Sequence, residues 1–355
     1  MRFRCVQLSS RRFLSFISAL IMACFMVQWG CGDSPGPVDI DTSRASEFGF
    51  QRNVRTSQIE EGKVAYKTFC IGCHGEAGDG NGVAARFLDP RPRNFINTRF
   101  KFSSTRAGQL PTVEDLRGTI IGGLKGSAMP GWDMLPARTV TALVAYIKTF
   151  SPKWQEKSPA SAIPAVDDPY RSSKDKSEAI ARGEALFHGF ATCWTCHPSY
   201  VSTQKINEYL VEMENPTRDV FRDHLFQPEG KPNSEGEMVY PPDFKRDFVR
   251  AGAHVEVLYR SISAGISGTA MPTWVDSMDV MSSHDSNVKL TSSADLWALA
   301  YYVQSLVLTR PARLEPDTLT IRSRPQKILR LGEAFVPIEE VIDTGETDEE
   351  FIEDD

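Results

Sequence analysis

Two five-residue runs carry most of the chemistry open to this sequence: "CIGCH" at 70–74 and "CWTCH" at 193–197. A C-x-x-C pair alone serves a redox dithiol, a zinc site or a covalent haem. The histidine that follows narrows the choice. Cysteines at i and i+3 share one helix face, so both thiols can add to the two vinyl groups of one haem. The next residue then offers its imidazole to the iron. A zinc site built from all four cysteines would have to join segments more than a hundred residues apart. A thioredoxin-like dithiol needs a strand before the helix, and "EGKVAYKTFCIGCH" offers none. The reading is two covalent haems, one on Cys70 and Cys73, the other on Cys193 and Cys196, with His74 and His197 as proximal ligands.

Iron held this way needs a sixth ligand or an open position. "GSAMPGW" and "GTAMPTW" supply Met129 and Met271, each followed by a proline and preceded by glycines. Methionine opposite histidine is the electron-transfer choice and raises the reduction potential. Proline biases the residue before it to an extended backbone, and glycine lets backbone pass close to a flat group. With both axial positions filled, small substrates cannot reach the metal, so single electrons would move by outer-sphere transfer between two sites in one chain.

The elements that must position these residues occur twice. "EGKVAYKTFCIGCHG" is answered by "RGEALFHGFATCWTCHP", and "PRNF" ending at Phe95 by "PPDF" ending at Phe244. Eight of seventeen positions match between 116–132 and 258–274, and each copy closes on an apolar helix, "LVAYIKTF" or "LAYYVQSL". Copy two carries two insertions, 198–241 and one after its methionine, both expected at the surface. His188, His224, His254 and His284 are read as non-ligands, with His188 expected at the surface. Trp132 and Trp274 are expected beside the haems, either packing or donating to a propionate. Arg91, Arg93 and Lys101 either pair with propionates or form a solvated basic patch.

On these motifs each half resembles a small Met/His-ligated cytochrome c domain, and the chain resembles a dihaem c-type cytochrome. The resemblance implies a mainly α fold of two tandem helical domains, each wrapped around a covalent haem c. It also implies a helix crossing at a glycine–aromatic contact in each half, Gly62 with Tyr146 and Gly183 with Tyr302. "LPTVEDLRGTIIGGL" and "YPPDFKRDF" are similar to the c-type subunits of respiratory oxidoreductases. The implied function is a relay of single electrons between donor and acceptor redox proteins, as a subunit of a larger complex. The rival class is a dihaem enzyme, peroxidase-like or thiosulfate-oxidising. The first needs an open iron site, against which the two aligned methionines argue. Some of the second use a cysteine ligand, and no cysteine is left over in the mature chain.

Composition bounds the rest. At 355 residues and 41% hydrophobic the chain suits two or three globular domains. Net charge is -6, and residues 333–355 hold eleven acids with no Lys or Arg. No dense basic stripe appears, which excludes a nucleic-acid partner. Arg2, Arg4, Arg11 and Arg12 precede an uncharged run from Phe13 to Trp29, the pattern of an export signal. Covalent haem is attached outside the cytoplasm to a chain exported unfolded, so the arginine pair is read as ordinary signal charge. Cys31, after a small residue and before a Gly/Pro spacer, resembles a lipoprotein processing site. Cys24 and an uncleaved membrane anchor are the alternatives. The expected organisation is 1–31 signal or anchor, 32–55 linker, 56–152 first domain, 153–176 linker, 177–308 second domain, and 309–355 extended arm and acidic tail. The mature protein is expected on the periplasmic side of a bacterial membrane.

Overall fold

In the computed structural model the described residues are 47–310, apart from 98, 158, 159, 234, 235 and 237. The signal, Cys24, Cys31 and the arm and tail beyond 310 lie outside them. The chain divides after Phe50, and both cysteine motifs lie in the unit that begins at Gln51.

The long α1 (Glu47–Phe69) delivers the chain to the first cysteine pair, and the single turn of α2 (Ile71–His74) carries its histidine. After it come α3 (Val113–Gly122), α4 (Ala137–Ile147) and the one-turn α5 (Lys153–Glu156). The second half has α6 (Ser173–Ala185), α7 (Thr203–Glu212), α8 (Val255–Ala264) and α9 (Asp295–Leu308). The strands are short: β1 (Lys231–Pro232) pairs antiparallel with β2 (Met238–Val239), Lys231 opposite Val239. The fold is mainly helical, as the sequence predicts. Among the described residues no helix is long and apolar enough to cross a membrane.

Local chemistry sets the helix starts. Thr112 and Asp115 exchange side-chain and backbone bonds in a capping box at the head of α3. Ser172 and Ser202 cap α6 and α7 by accepting from the third residue on. Two glycines set how the helices meet. A Cβ on Gly62 would stand 2.0 Å from the Ala142 carbonyl oxygen, and one on Gly183 2.1 Å from that of Ala298. Only a bare backbone allows α1 onto α4, and α6 onto α9, at that distance. The Cβ atoms of Tyr146 and Tyr302 flank the same two positions at 2.8 and 2.7 Å, so both expected glycine–aromatic contacts are made.

Two apolar clusters result. One gathers Tyr66, Leu116, Ile120, Leu143, Val144 and Ile147. The other gathers Leu186, Phe187, Leu258, Leu296, Leu299 and Tyr302.

Several expectations need correction. Copy two spends two more residues than copy one between its aromatic (Phe187, Tyr66) and its first cysteine. It takes them up by running α6 on into a π-helical turn, Leu186–Phe190, where Ala191 N–H bonds the Leu186 carbonyl at 2.8 Å. That turn carries His188 inside, fully buried instead of at the surface. Its Nδ1 pairs with the Glu184 carbonyl at 2.9 Å, and its Nε2 faces the Tyr200 N–H at 3.4 Å. The 198–241 insertion is not a surface excursion either: through α7 it places Ile206, Leu210 and Met213 in the second core, each at most 2% exposed. The two insertions are also tied to each other, Glu214 accepting from Ser282 and Ser283.

The segment read as a linker, 153–176, is tied down at Trp154, Ile163, Val166 and Asp168. Trp154 on α5 joins the first core and meets Phe100 edge-on. Ile163 N–H bonds the Ser104 carbonyl at 2.8 Å. Val166 receives the Trp297 indole N–H at 3.0 Å and donates to the Tyr259 hydroxyl at 3.2 Å, and Asp168 accepts from the Tyr301 hydroxyl at 2.8 Å. The earlier segment, 32–55, is already helical from Glu47.

Candidate functional site

Cys70 N–H bonds the Tyr66 carbonyl at 2.8 Å, so the first motif continues directly from α1. Cys73 and His74 N–H groups both return to the Cys70 carbonyl, at 3.2 and 2.9 Å. One turn therefore carries both thiols and the imidazole. The His74 Nδ1 meets the Arg93 carbonyl at 3.0 Å, and the ring stacks on Phe95 with centroids 4.6 Å apart. A ring that donates from Nδ1 keeps its Nε2 lone pair for a metal. Burial lowers the His74 pKa, which favours that neutral form.

The second motif reaches the same arrangement by a different approach. Thr192 takes a left-handed conformation, φ 44°, costly for a β-branched residue, and turns the chain into Cys193. Cys196 and His197 N–H groups then return to the Cys193 carbonyl at 3.1 and 2.8 Å. His197 Nδ1 meets the Pro242 carbonyl at 3.0 Å, and its ring stacks on Phe244 at 4.8 Å. Burial pushes this imidazole down to about 4.

Among the described residues Cys70, Cys73, Cys193 and Cys196 form no disulfide. Burial pushes Cys70 up to about 11 and Cys193 up to about 12. A catalytic redox dithiol needs the opposite shift, and the histidine that follows each pair completes the donor set of a covalently held haem.

The methionine corners are also built alike. α3 ends at Gly123 (φ +62°) and α8 at Gly265 (φ +74°). A Cβ on either would stand 2.5 Å from backbone of the Met–Pro–x segment, Pro130 and Gly131 in one case and Pro272 in the other. Trp132 N–H returns to the Ile120 carbonyl at 3.0 Å, which brings the corner back along α3. Cys193, Met271 and Trp274 all pack on the second core. Cys70 and Trp132 pack on the first, whereas Met129 is half-buried and is not among the side chains on that cluster. Trp132 meets the Phe69 ring at 5.2 Å.

Sequence reasoning missed Arg222. Its guanidinium donates to the carbonyls of Trp194, His197, Leu225 and Gln227 at 3.1, 2.8, 3.0 and 2.6 Å, and also to that of His224. It thus pins the second cysteine motif to the insertion. Nothing in the spacing announces it, because its hydrogen-bond partners are main-chain carbonyls; Glu229 adds a longer ion pair at 3.9 Å.

A family model described as cytochrome c oxidase, cbb3-type, subunit III matches residues 57–147. The chain carries a cytochrome c domain. Such a domain implies covalently bound haem c, and the matched residues contain Cys70, Cys73, His74 and Met129. One chain of the reducing HAO-like protein complex of Kuenenia stuttgartiensis is similar at 27% identity, covering 70% of this chain and 96% of that one, with a TM-score of 0.53. That coverage reaches well past the residues of the family match. The cytochrome c domain and the likeness to a member of a redox complex point to electron transfer. The search of curated proteins gives no match.

Proposed function

We propose that this chain is a dihaem c-type cytochrome that relays single electrons between partner redox proteins, as a subunit of a larger oxidoreductase complex. The observation that carries the second haem is the repeated geometry of His197. Its Nδ1 bond to a backbone carbonyl and its stacking on a phenylalanine duplicate those of His74. When bound, haem c supplies a one-electron iron couple whose potential the protein sets through ligand identity, burial and hydrogen bonding.

The chain's own residues hold and tune that group. Cys70 and Cys73, and Cys193 and Cys196, would attach it. By accepting from Nδ1 of His74 and His197, the Arg93 and Pro242 carbonyls would leave each Nε2 free to hold iron. Met129 and Met271 would each supply the second protein ligand to an iron, where a thioether would favour the reduced state. The similar chain belongs to a multi-protein complex, which supports partners of the same kind here. The charged and apolar order of residues 2–29 and the setting of Cys31 support export and tethering on the periplasmic side.

A pyridine haemochrome assay on the purified protein tests this reading. Two c-type haems per chain are expected; one or none refutes it. Met129→His and Met271→His should each lower one midpoint potential and abolish the weak red absorption of Met-ligated iron.

A further inference from the structure

The loops that carry the two methionines are one device used twice, "LKGSAM" at 124–129 and "ISGTAM" at 266–271. Each closes on itself. Leu124 N–H bonds the Met129 carbonyl at 3.0 Å, and Ile266 N–H that of Met271 at 3.2 Å. The hydroxyls of Ser127 and Thr269 accept the methionine N–H at 3.2 and 3.1 Å.

The tip of each loop touches the opposite half. Lys125 N–H bonds the Arg250 carbonyl at 2.9 Å. Gly126 (φ +65°) lies under Phe248, whose Cβ would be 2.6 Å from a Cβ added there. On the other loop, Ser267 Oγ accepts the Gly108 N–H at 2.9 Å, and Gly268 (φ +71°) lies against the Arg99 side chain. Ala107 N–H reaches the Ala264 carbonyl at 2.9 Å and Thr273 Oγ1 at 3.1 Å. Arg106 grips Asp276 with Nε and Nη2 at 2.8 and 2.7 Å.

The exchange is reciprocal in sequence as well. Phe248 stands as far beyond Phe244 as Arg99 does beyond Phe95, and those two phenylalanines are the rings stacked on the histidines. Each methionine loop therefore rests on the segment that runs on from the other half's histidine.

We propose that this seam is a cross-half clamp: Arg99, Arg106 and Ala107 of the first half position Met271, while Phe248 and Arg250 of the second position Met129. This rests on the His/Met reading above. The second site is held more firmly, since Ser267 is 3% exposed whereas Lys125 is exposed.

The test uses the full-length holoprotein as wild type, Arg106→Glu, Arg106→Glu/Asp276→Arg, and Phe248→Ala. In reduced protein each iron-bound methionine gives a strongly upfield-shifted methyl proton resonance, assigned with the Met129→His and Met271→His variants. Arg106→Glu should displace or broaden the Met271 resonance and leave that of Met129 sharp. It should also speed carbon monoxide capture at the second site, by no more than about fivefold because the ion pair is exposed. The charge swap should restore both readouts. Phe248→Ala should move the Met129 resonance, by less. A clamp is refuted if each substitution affects only the methionine of its own half, or if both resonances stay in place. If wild type shows neither resonance, the ligand assignment falls and the clamp with it; resonances present but unmoved bring down the clamp alone.

Discussion

Gly183→Ala and Gly118→Ala add the same methyl group to a helix, and the structure gives them opposite signs. At Gly183 the new Cβ would stand 2.1 Å from the Ala298 carbonyl oxygen, with ordinary contact beginning at 3.4 Å. Relief requires α6 and α9 to part by more than an ångström, because the obstacle is backbone that cannot swing aside. Overpacking of this kind costs up to about 3 kcal/mol. Alanine returns about 1 kcal/mol of helix propensity, which leaves a net loss of about 2 kcal/mol. Gly118, inside α3, has nothing within 4 Å of its Cβ position, so only the propensity gain of about 1 kcal/mol remains. Urea unfolding of the holoprotein followed by far-ultraviolet circular dichroism separates the two. The midpoint should fall for Gly183→Ala and rise for Gly118→Ala at similar slope. A Gly183→Ala midpoint at or above wild type would show that α6 and α9 do not meet backbone to backbone.

Two further outcomes are accessible to the same assay. Ile206→Ala in α7 should cost about 2–4 kcal/mol, because the side chain is fully buried in the second core; a loss below about 0.5 kcal/mol would return the insertion to the surface. Burial pushes the His188 imidazole from its ordinary 6.5 down to about 4, so the unfolded chain binds a proton that the folded one refuses. Its contribution is whole above pH 6.5 and is lost as pH falls toward 4, by roughly 2 kcal/mol at pH 5. His188→Gln should flatten the dependence of the unfolding midpoint between pH 7.5 and pH 4.5, and an unchanged slope would contradict the buried neutral ring.

Much of this was legible because it depends on short-range spacing. A cysteine pair with its histidine needs only one turn of chain. The Gly62–Tyr146 and Gly183–Tyr302 contacts join residues far apart in sequence, and it was the family resemblance, not spacing, that implied them. α7 was within reach too: Ile206, Leu210 and Met213 fall at helical spacing, obscured by the charged residues around them. His188 was not. Two extra residues before Cys193 can be spent as a loop or as a π-helical turn, and only packing against Tyr209 and Tyr302 selects the turn that takes the imidazole inside. Arg222 lay beyond pattern as well, since the hydrogen bonds it makes go to carbonyls that any sequence would supply.

The segment between the halves has a consequence for anyone wishing to study either half alone. A fragment ending before Trp154 leaves a hole beside Phe100. One ending after it but before Ile163 gives up the bond to Ser104. A fragment beginning after Asp168 strips Trp297, Tyr259 and Tyr301 of their partners at residues 166 and 168. Few residues separate what the first half needs from what the second needs, so there is almost nowhere to place the scissors. The repeats are two in sequence, yet they share a hem, and a gene split at the repeat boundary should yield pieces that dissolve poorly until they are mixed.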